Sequence, residues 1–274
     1  MTSETRTQLS QTRDQEQNLF QNHSTSPIFK SQEPLENEYL PSIDNFKARN
    51  EEINSIVNRL SRMIEGQSGS NFIVTGNTGY GKTACVKLVL KDLEEEMKNQ
   101  DQNLQTTYID DSENEHQILR KVSKDLELDD HGRYNEFYNG TDLSKYYHLL
   151  TDHLIETEKN YILVLDEIDQ LFSESKDKDH GNSILKKLYE ARAKVMNESN
   201  GGLVVIGVTN NIDIRNKFNS KNASRYGDDT IQFSAYNAKE LKMILEARSD
   251  KAFKKDALEE GVISKISAKV AQED

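Results

Sequence analysis

Residues 72–90 read FIVTGNTGYGKTACVKLVL: an apolar run, a glycine-rich turn, Lys82-Thr83, then a helical pattern. Gly76, Asn77, Thr78, Gly79, Tyr80, Gly81, Lys82 and Thr83 fit G-x-x-x-x-G-K-[ST]. Glycines let a backbone wrap closely around phosphate oxygens, and the following helix adds its positive N-terminal end. Lys82 supplies a point charge and Thr83 a hydroxyl for Mg²⁺. The bland alternative is a tight glycine turn before a helix.

A second constellation is ILVLDEID, residues 162–169. Four apolar residues end in Asp166 and Glu167. Asp166 is expected to hold Mg²⁺ through water, and Glu167 to polarise an attacking water. A kinase whose nucleophile is its substrate has less need of the second acid, so the pair favours ATP hydrolysis. An acidic strand end capping a helix is the plain reading, and Asp169 is read as a solvated cap. In VIGVTNN, Asn210 follows Thr209 at a strand end, where a carboxamide could orient water between Glu167 and the γ-phosphate; Asn211 is the competing position. In NASRYGDD, Arg225 is a candidate finger for a neighbouring subunit's nucleotide. Its alternatives are pairing with Asp228 or Asp229, or the role falling to Lys221. Tyr236 could stack on adenine or pack as a hinge residue. Arg248 could reach ribose or phosphate, or pair with Glu246 or Asp250.

These residues need elements to hold them. Residues 50–64 place Ile53, Ile56, Val57, Leu60 and Met63 at helical spacing. Strands are expected at 71–76, 106–111, 161–169, 202–211 and 230–236, with helices at 82–97, 113–128, 142–158, 181–196, 237–253 and 259–272. The helix after the loop offers Ala84, Val86, Val89, Leu90 and Leu93 to a core. Strands alternate with helices and the central strands are apolar throughout, the pattern of a parallel sheet covered on both faces. Ligands in such sheets sit at the carboxyl ends of the strands, where the loop, the acids and the asparagines all fall. The expected class is α/β: a P-loop nucleotide-binding domain with a five-stranded parallel sheet between helices. Residues 1–26 read as a disordered polar tail, and SPIFKSQEPLENEYLPSIDNF, ending at Phe46, as an extended arm laid over a domain.

The chain has 274 residues and a formal net charge of -12. A broad basic face for nucleic acid is excluded. Any DNA contact must come from a local patch or from a module outside this sequence. The acidity is an ordinary acidic surface or a solubility device for a salty cytoplasm. One cysteine, Cys85, rules out an internal disulfide and is expected to pack in the core. No run reaches a membrane span and the N-terminus lacks a signal-peptide core, so a soluble, cytoplasmic protein is expected. His116, His131, His148, His153 and His180 are scattered in polar context and read as surface, with no metal cluster.

With its motifs in this order the chain resembles the AAA+ ATPases, and within them the archaeal and eukaryotic origin-recognition and cell-division-cycle replication initiators. SPIFKSQEPLENEYLPSIDNFKARNEEI is similar to that clade's leading segment: Ile-Phe, then Tyr-x-Pro, then Arg49, Glu52 and Ile53. DLSKYYHLL resembles the segment before the acidic strand, near the initiator-specific insertion. FNSKNASRYGDDTIQFSAYNAKELKMILEARSDKAF follows the family pattern, although Lys221 stands where many members have Arg and FSAY replaces a proline-containing version. The resemblance spans residues 27–274 and implies an ATP- and Mg²⁺-binding domain over 27–234 and a partial helical lid over 235–274. It places nucleotide contacts on Tyr236 and Arg248.

The family continues past AKVAQED into a Gly-Asp-Ala-Arg motif, the rest of the lid and a winged-helix DNA-binding domain. The sequence in hand stops before them. The expectation is therefore a replication initiator and weak ATPase with other initiator or AAA+ subunits and the replicative helicase as partners. Origin duplex DNA is a family partner that this stretch alone binds weakly or not at all. The alternative is a truncated, non-catalytic, ATP-dependent regulatory module that pairs with a full-length initiator.

Overall fold

The computed structural model describes residues 28–36, 39–41, 46–110, 114–128, 143–173, 179–227 and 229–273. The expected tail at 1–26 and His131 lie outside them. The chain divides into two units, one of Arg49–Ala235 and one formed by residues 1–48 with Tyr236–Asp274.

The larger unit is built on a five-stranded sheet of β1 (Phe72–Thr75), β2 (Leu104–Ile109), β3 (Asn160–Leu165), β4 (Gly202–Thr209) and β5 (Thr230–Gln232). The strand order is β2-β3-β4-β1-β5, and every pairing is parallel. Every residue of β1, β3 and β4 is buried, which explains why these strands read as unbroken apolar runs. Edge strand β5 ends at Gln232, short of the expected 236. Phe233 still donates its N–H to Thr75 O at 2.7 Å before the chain leaves the sheet.

The helices of this unit are α1 (Asn50–Leu60), α2 (Lys82–Asn99), α3 (Glu115–Asp125), α4 (Leu143–Thr157) and α5 (His180–Glu198). In α1, Ile53, Ile56 and Leu60 are buried, whereas Val57 is 38% exposed, so the apolar stripe is narrower than its spacing implied. In α2 the buried face is wider and includes Cys85, Leu88 and Met97. Burial pushes the Cys85 thiol well above its ordinary pKa, so it is a packing residue and not a nucleophile. Helices α3, α4 and α5 share one core with the sheet through residues such as Ile118, Leu150, Leu163 and Leu188.

The smaller unit holds α6 (Ala238–Ala252) and α7 (Val262–Glu273). Helix α6 opens with a reciprocal cap, in which Asn237 accepts from Glu240 N and Glu240 accepts from Asn237 N. The sequence grouped the leading arm with the nucleotide-binding domain over 27–234. The structure groups its described part with α6 instead, for a local reason. The last carbonyls of a helix have no partner within it, and the arm supplies donors: Lys30 N–H to Ala252 O at 2.7 Å and Lys30 Nζ to Asp250 O at 3.0 Å. Phe29 stacks on Phe253 with centroids 5.1 Å apart. Tyr39 accepts from Lys251 Nζ at 2.9 Å.

Among the described residues no helix is long and apolar enough to cross a membrane.

Candidate nucleotide site

The loop between β1 and α2 begins at Gly76, whose φ of 144° is open to glycine. A Cβ there would lie 2.5 Å from Phe233 O, so the neighbouring strand end also demands glycine. Gly81, at φ 83°, caps α2, and no acidic residue occupies the helix's first turn. That leaves an electropositive helix end open to an anion.

Lys82 is only 6% exposed. Its ammonium donates to Asn77 O at 2.9 Å and to Asn210 Oδ1 at 2.8 Å. Burial pulls its pKa below the ordinary lysine value, and the charges of Asp166 and Asp169 oppose the shift. Thr83 Oγ1 donates to Asp166 Oδ2 at 2.9 Å. Asp166 directly follows β3, where its N–H bonds Ile109 O at 2.8 Å. Its Oδ1 accepts the Glu167 N–H at 2.9 Å. Glu167 has a left-handed φ of 51°, uncommon for a residue with a side chain, and its carboxylate accepts from Gln170 Nε2. Loop, acids and asparagine therefore meet at the carboxyl ends of β1, β3 and β4.

Of the two asparagines, Asn210 faces Lys82, while Asn211 Oδ1 accepts Asp213 N at 2.9 Å in its own turn. The reading of Asp169 as a solvated cap is overturned. It is half-buried and accepts a hydrogen bond from Thr209 Oγ1, which ties the acidic turn to the end of β4.

Arg225 lies elsewhere. It sits in the helical turn Ala223–Gly227, its guanidinium 4.0 Å over the Tyr189 ring. Its Nη1 is enclosed without a hydrogen-bond partner among the described residues. Asp229, one of its expected partners, is held by Arg59 at 2.8 Å, and Asp228 lies outside the described residues. Lys221 is exposed. Arg225 lines a cavity of about 350 Å³ with Asn71, Tyr189, Arg192 and Asp229. Asn71 precedes β1 and Asp229 precedes β5. This cavity is thus at the amino ends of the strands, opposite the phosphate loop.

Tyr236 and Arg248 belong to the smaller unit. Tyr236 is half-buried just before α6, and Arg248 lies over the Tyr39 ring at 5.7 Å. Glu246 pairs with Lys242 at 3.7 Å. The histidines are less uniformly superficial than expected. His148 is exposed, but His116 is half-buried and edge-on to Tyr146, and His180 is half-buried at the start of α5. His153 Nε2 is enclosed without a hydrogen-bond partner among the described residues, and burial lowers its pKa. Among the described residues no group of three or more His, Cys, Asp or Glu is placed to hold a metal.

Residues 64–215, more than half of the chain, match the AAA domain family. The chain belongs to this family. An ORC1-type DNA replication protein 1 of Archaeoglobus fulgidus is 28% identical over 259 residues, covering 93% of this chain and 59% of the relative. The ORC1-type DNA replication protein 1 of Sulfurisphaera tokodaii is 32% identical over 253 residues, covering 92% and 58%. The structure of the Aeropyrum pernix ORC1 protein in complex with DNA superposes with a TM-score of 0.75 at 24% identity, over 91% of this chain and 61% of that one. At that identity the likeness shows the fold. The chain spans about three-fifths of the length of these relatives.

Two residues near the site were given no physical role by the sequence. Tyr108, at the end of β2, donates its hydroxyl to Asp166 Oδ2 at 2.5 Å. Its only linear signal is a phenol near a strand's carboxyl end, and it matters only because β2 lies beside β3. Arg49, 2% exposed, donates to Ser234 O at 2.5 Å and pairs with Glu52 at 2.8 Å. It fixes the chain just past Phe233, whose carbonyl crowds Gly76. The sequence marked Arg49 and Glu52 as a family pattern without a physical role.

Proposed function

We propose that this chain is the ATP-binding part of a DNA replication initiator of the origin-recognition type, using Mg²⁺-ATP binding and slow hydrolysis as a switch. The observation that carries it is the convergence of Lys82, Thr83, Asp166 and Asn210 at one strand edge, in a chain similar over nine-tenths of its length to ORC1-type replication proteins.

In this reading the N–H groups of residues 76–83 and the Lys82 ammonium take the β- and γ-phosphate oxygens. Asn77 O and Asn210 Oδ1 already aim that ammonium. Thr83 and Asp166 offer hard oxygen donors in hydrogen-bond contact, which suits Mg²⁺. A site with one carboxylate, one hydroxyl and substrate phosphates needs no larger protein ligand cluster. When bound, Mg²⁺ neutralises phosphate charge. Glu167 accepts a proton from water as its oxygen attacks the γ-phosphorus, the bond to the β–γ bridging oxygen breaks, and ADP and phosphate leave. Asn210 orients that water. Tyr236 packs on adenine, and Arg248 reaches ribose or phosphate.

Arg225 acts on a neighbour's nucleotide. Its place at the sheet's opposite end from its own phosphate loop supports action between subunits over action within one. Partners in this reading are other initiator or AAA subunits, origin duplex DNA, which this stretch alone binds weakly or not at all, and the replicative helicase. The setting is cytoplasmic. The test is ATP binding by titration calorimetry with and without Mg²⁺. Tight, Mg²⁺-enhanced binding that is lost in Lys82→Ala supports the reading, and equal affinity in that variant overturns the site.

A further inference from the structure

Asp166 is held by more than its partner in the loop. Its Oδ2 accepts from both Thr83 Oγ1 at 2.9 Å and Tyr108 OH at 2.5 Å, while Oδ1 takes the Glu167 N–H. A carboxylate oxygen offers two in-plane lone pairs, so both acceptor positions of Oδ2 are engaged. Tyr108 is fixed from several sides. On β2 it pairs in register with Val164 of β3, two residues before Asp166. The ammonium of Lys87, one turn beyond Thr83 on α2, lies 4.4 Å from the Tyr108 ring centroid. Lys87 also pairs with Asp110 at 3.5 Å, and Lys121 Nζ donates to the Tyr108 carbonyl at 2.5 Å. A tyrosine used only for packing needs none of this convergence on one carboxylate oxygen.

Resting on the Mg²⁺-nucleotide reading above, we propose that Tyr108 is a positioning residue for the divalent cation, its hydroxyl setting the orientation in which Asp166 meets the metal. In that reading the Thr83 oxygen offers a lone pair to Mg²⁺ while its O–H can still donate to Oδ2. Tyr108 is the side-chain donor to Oδ2 that is not itself a metal ligand. Groups that hold a metal-ligating carboxylate in this way set metal affinity, and their loss costs about tenfold or more.

The test uses the whole chain and its Tyr108→Phe variant, which keeps the ring and removes the donor. Mn²⁺ binding in the presence of a non-hydrolysable ATP analogue is read by electron paramagnetic resonance. Affinity for the same analogue in EDTA is read by calorimetry. The expected result is a rise of about tenfold in the metal concentration for half-saturation, with the metal-free affinity unchanged. Lys87→Met, which loosens the ring and leaves the hydroxyl, should shift half-saturation the same way by a smaller factor. An unchanged metal requirement in Tyr108→Phe, in a parent that does bind the metal, overturns the inference alone. A parallel loss of metal-free affinity marks a merely structural tyrosine and also overturns it. A parent with no nucleotide-dependent Mn²⁺ binding overturns the nucleotide reading and this inference with it.

Discussion

The two ends of the same sheet carry charge in opposite ways. At the carboxyl ends of β1, β3 and β4, Lys82 meets Asn210, Thr83 meets Asp166, and Asp169 meets Thr209. The polar side chains there bond one another across three strands. At the amino ends, the arginines are tied to carbonyls, an aspartate and a ring. Arg192 donates to Gly69 O at 2.8 Å, Arg59 holds Asp229, and Arg225 rests on Tyr189 with an unpartnered Nη1. The first end resembles a closed hand whose internal bonds can be exchanged for a ligand's. The second holds an enclosed donor that lacks an acceptor among the described residues, at a cost of about 1–3 kcal/mol. An acceptor brought by another subunit would offset that cost. The contrast fits the proposal of binding at one end and action on a neighbour at the other.

The largest test of this contrast is Lys82→Ala. Losing the proposed charge-assisted bonds from this ammonium to phosphate oxygens should cost about 4 kcal/mol of nucleotide binding, roughly a thousandfold, measured by calorimetry. Next is the loop itself. Gly76→Ala should lower stability by about 3 kcal/mol, because both its φ and the approach of Phe233 O forbid a Cβ. Gly79→Ala meets no atom within 4 Å and should cost only the left-handed backbone term, about 1 kcal/mol. Equal melting temperatures for the two variants would remove the close approach as the reason for Gly76. Glu167→Gln should keep nucleotide affinity and slow turnover about a hundredfold, and matching turnover in parent and variant would dismiss Glu167 as the base.

At the other end, Tyr226 is buried, donates to Leu185 O at 2.9 Å and has its pKa pushed up by burial. Above pH about 10 the unfolded chain releases this proton and the folded one keeps it, so stability falls as pH rises. The loss is about 1.4 kcal/mol per pH unit for each such tyrosine. Tyr161 and Tyr147 behave alike. Tyr226→Phe should make the alkaline limb of a denaturant-midpoint profile shallower by one such increment, and an unaltered slope would contradict it. The smallest effect is expected from Arg225→Ala. If, as proposed, Arg225 serves another subunit's nucleotide, ATP affinity of the isolated chain should stay within about twofold of the parent. A large loss of affinity in the isolated chain would bring Arg225 to its own site and erase the distinction between the ends.

Much of the first end was legible in the chain. The phosphate loop is contiguous, so its spacing alone announces a strand, a tight turn and a helix. Asp166 and Glu167 close an apolar run that can only be a buried strand. Other features were not legible, each for a definable reason. Asp169 looks solvated until Thr209 arrives from a strand 40 residues away. Arg225 has acids beside it in sequence, yet Arg59 from α1 takes Asp229 and leaves the guanidinium to Tyr189. The arm reads as a prelude to the loop, but the N–H groups of Lys30 and Ser31 both go to the Ala252 carbonyl at the end of α6.

By itself the sequence determined the alternation of strands and helices, the parallel sheet and the position of the phosphate loop. These follow from local periodicity, glycine conformations and the burial of uniformly apolar runs. Tertiary structure alone decided that β2 lies beside β3, which brings Tyr108 onto Asp166. It also decided that Asn210 and not Asn211 meets Lys82, and that Arg225 stands at the far end of the sheet. Side-chain hydrogen bonds are settled by which strand neighbours which, and a parallel sheet orders its strands through long crossovers that leave no mark on any short stretch of chain.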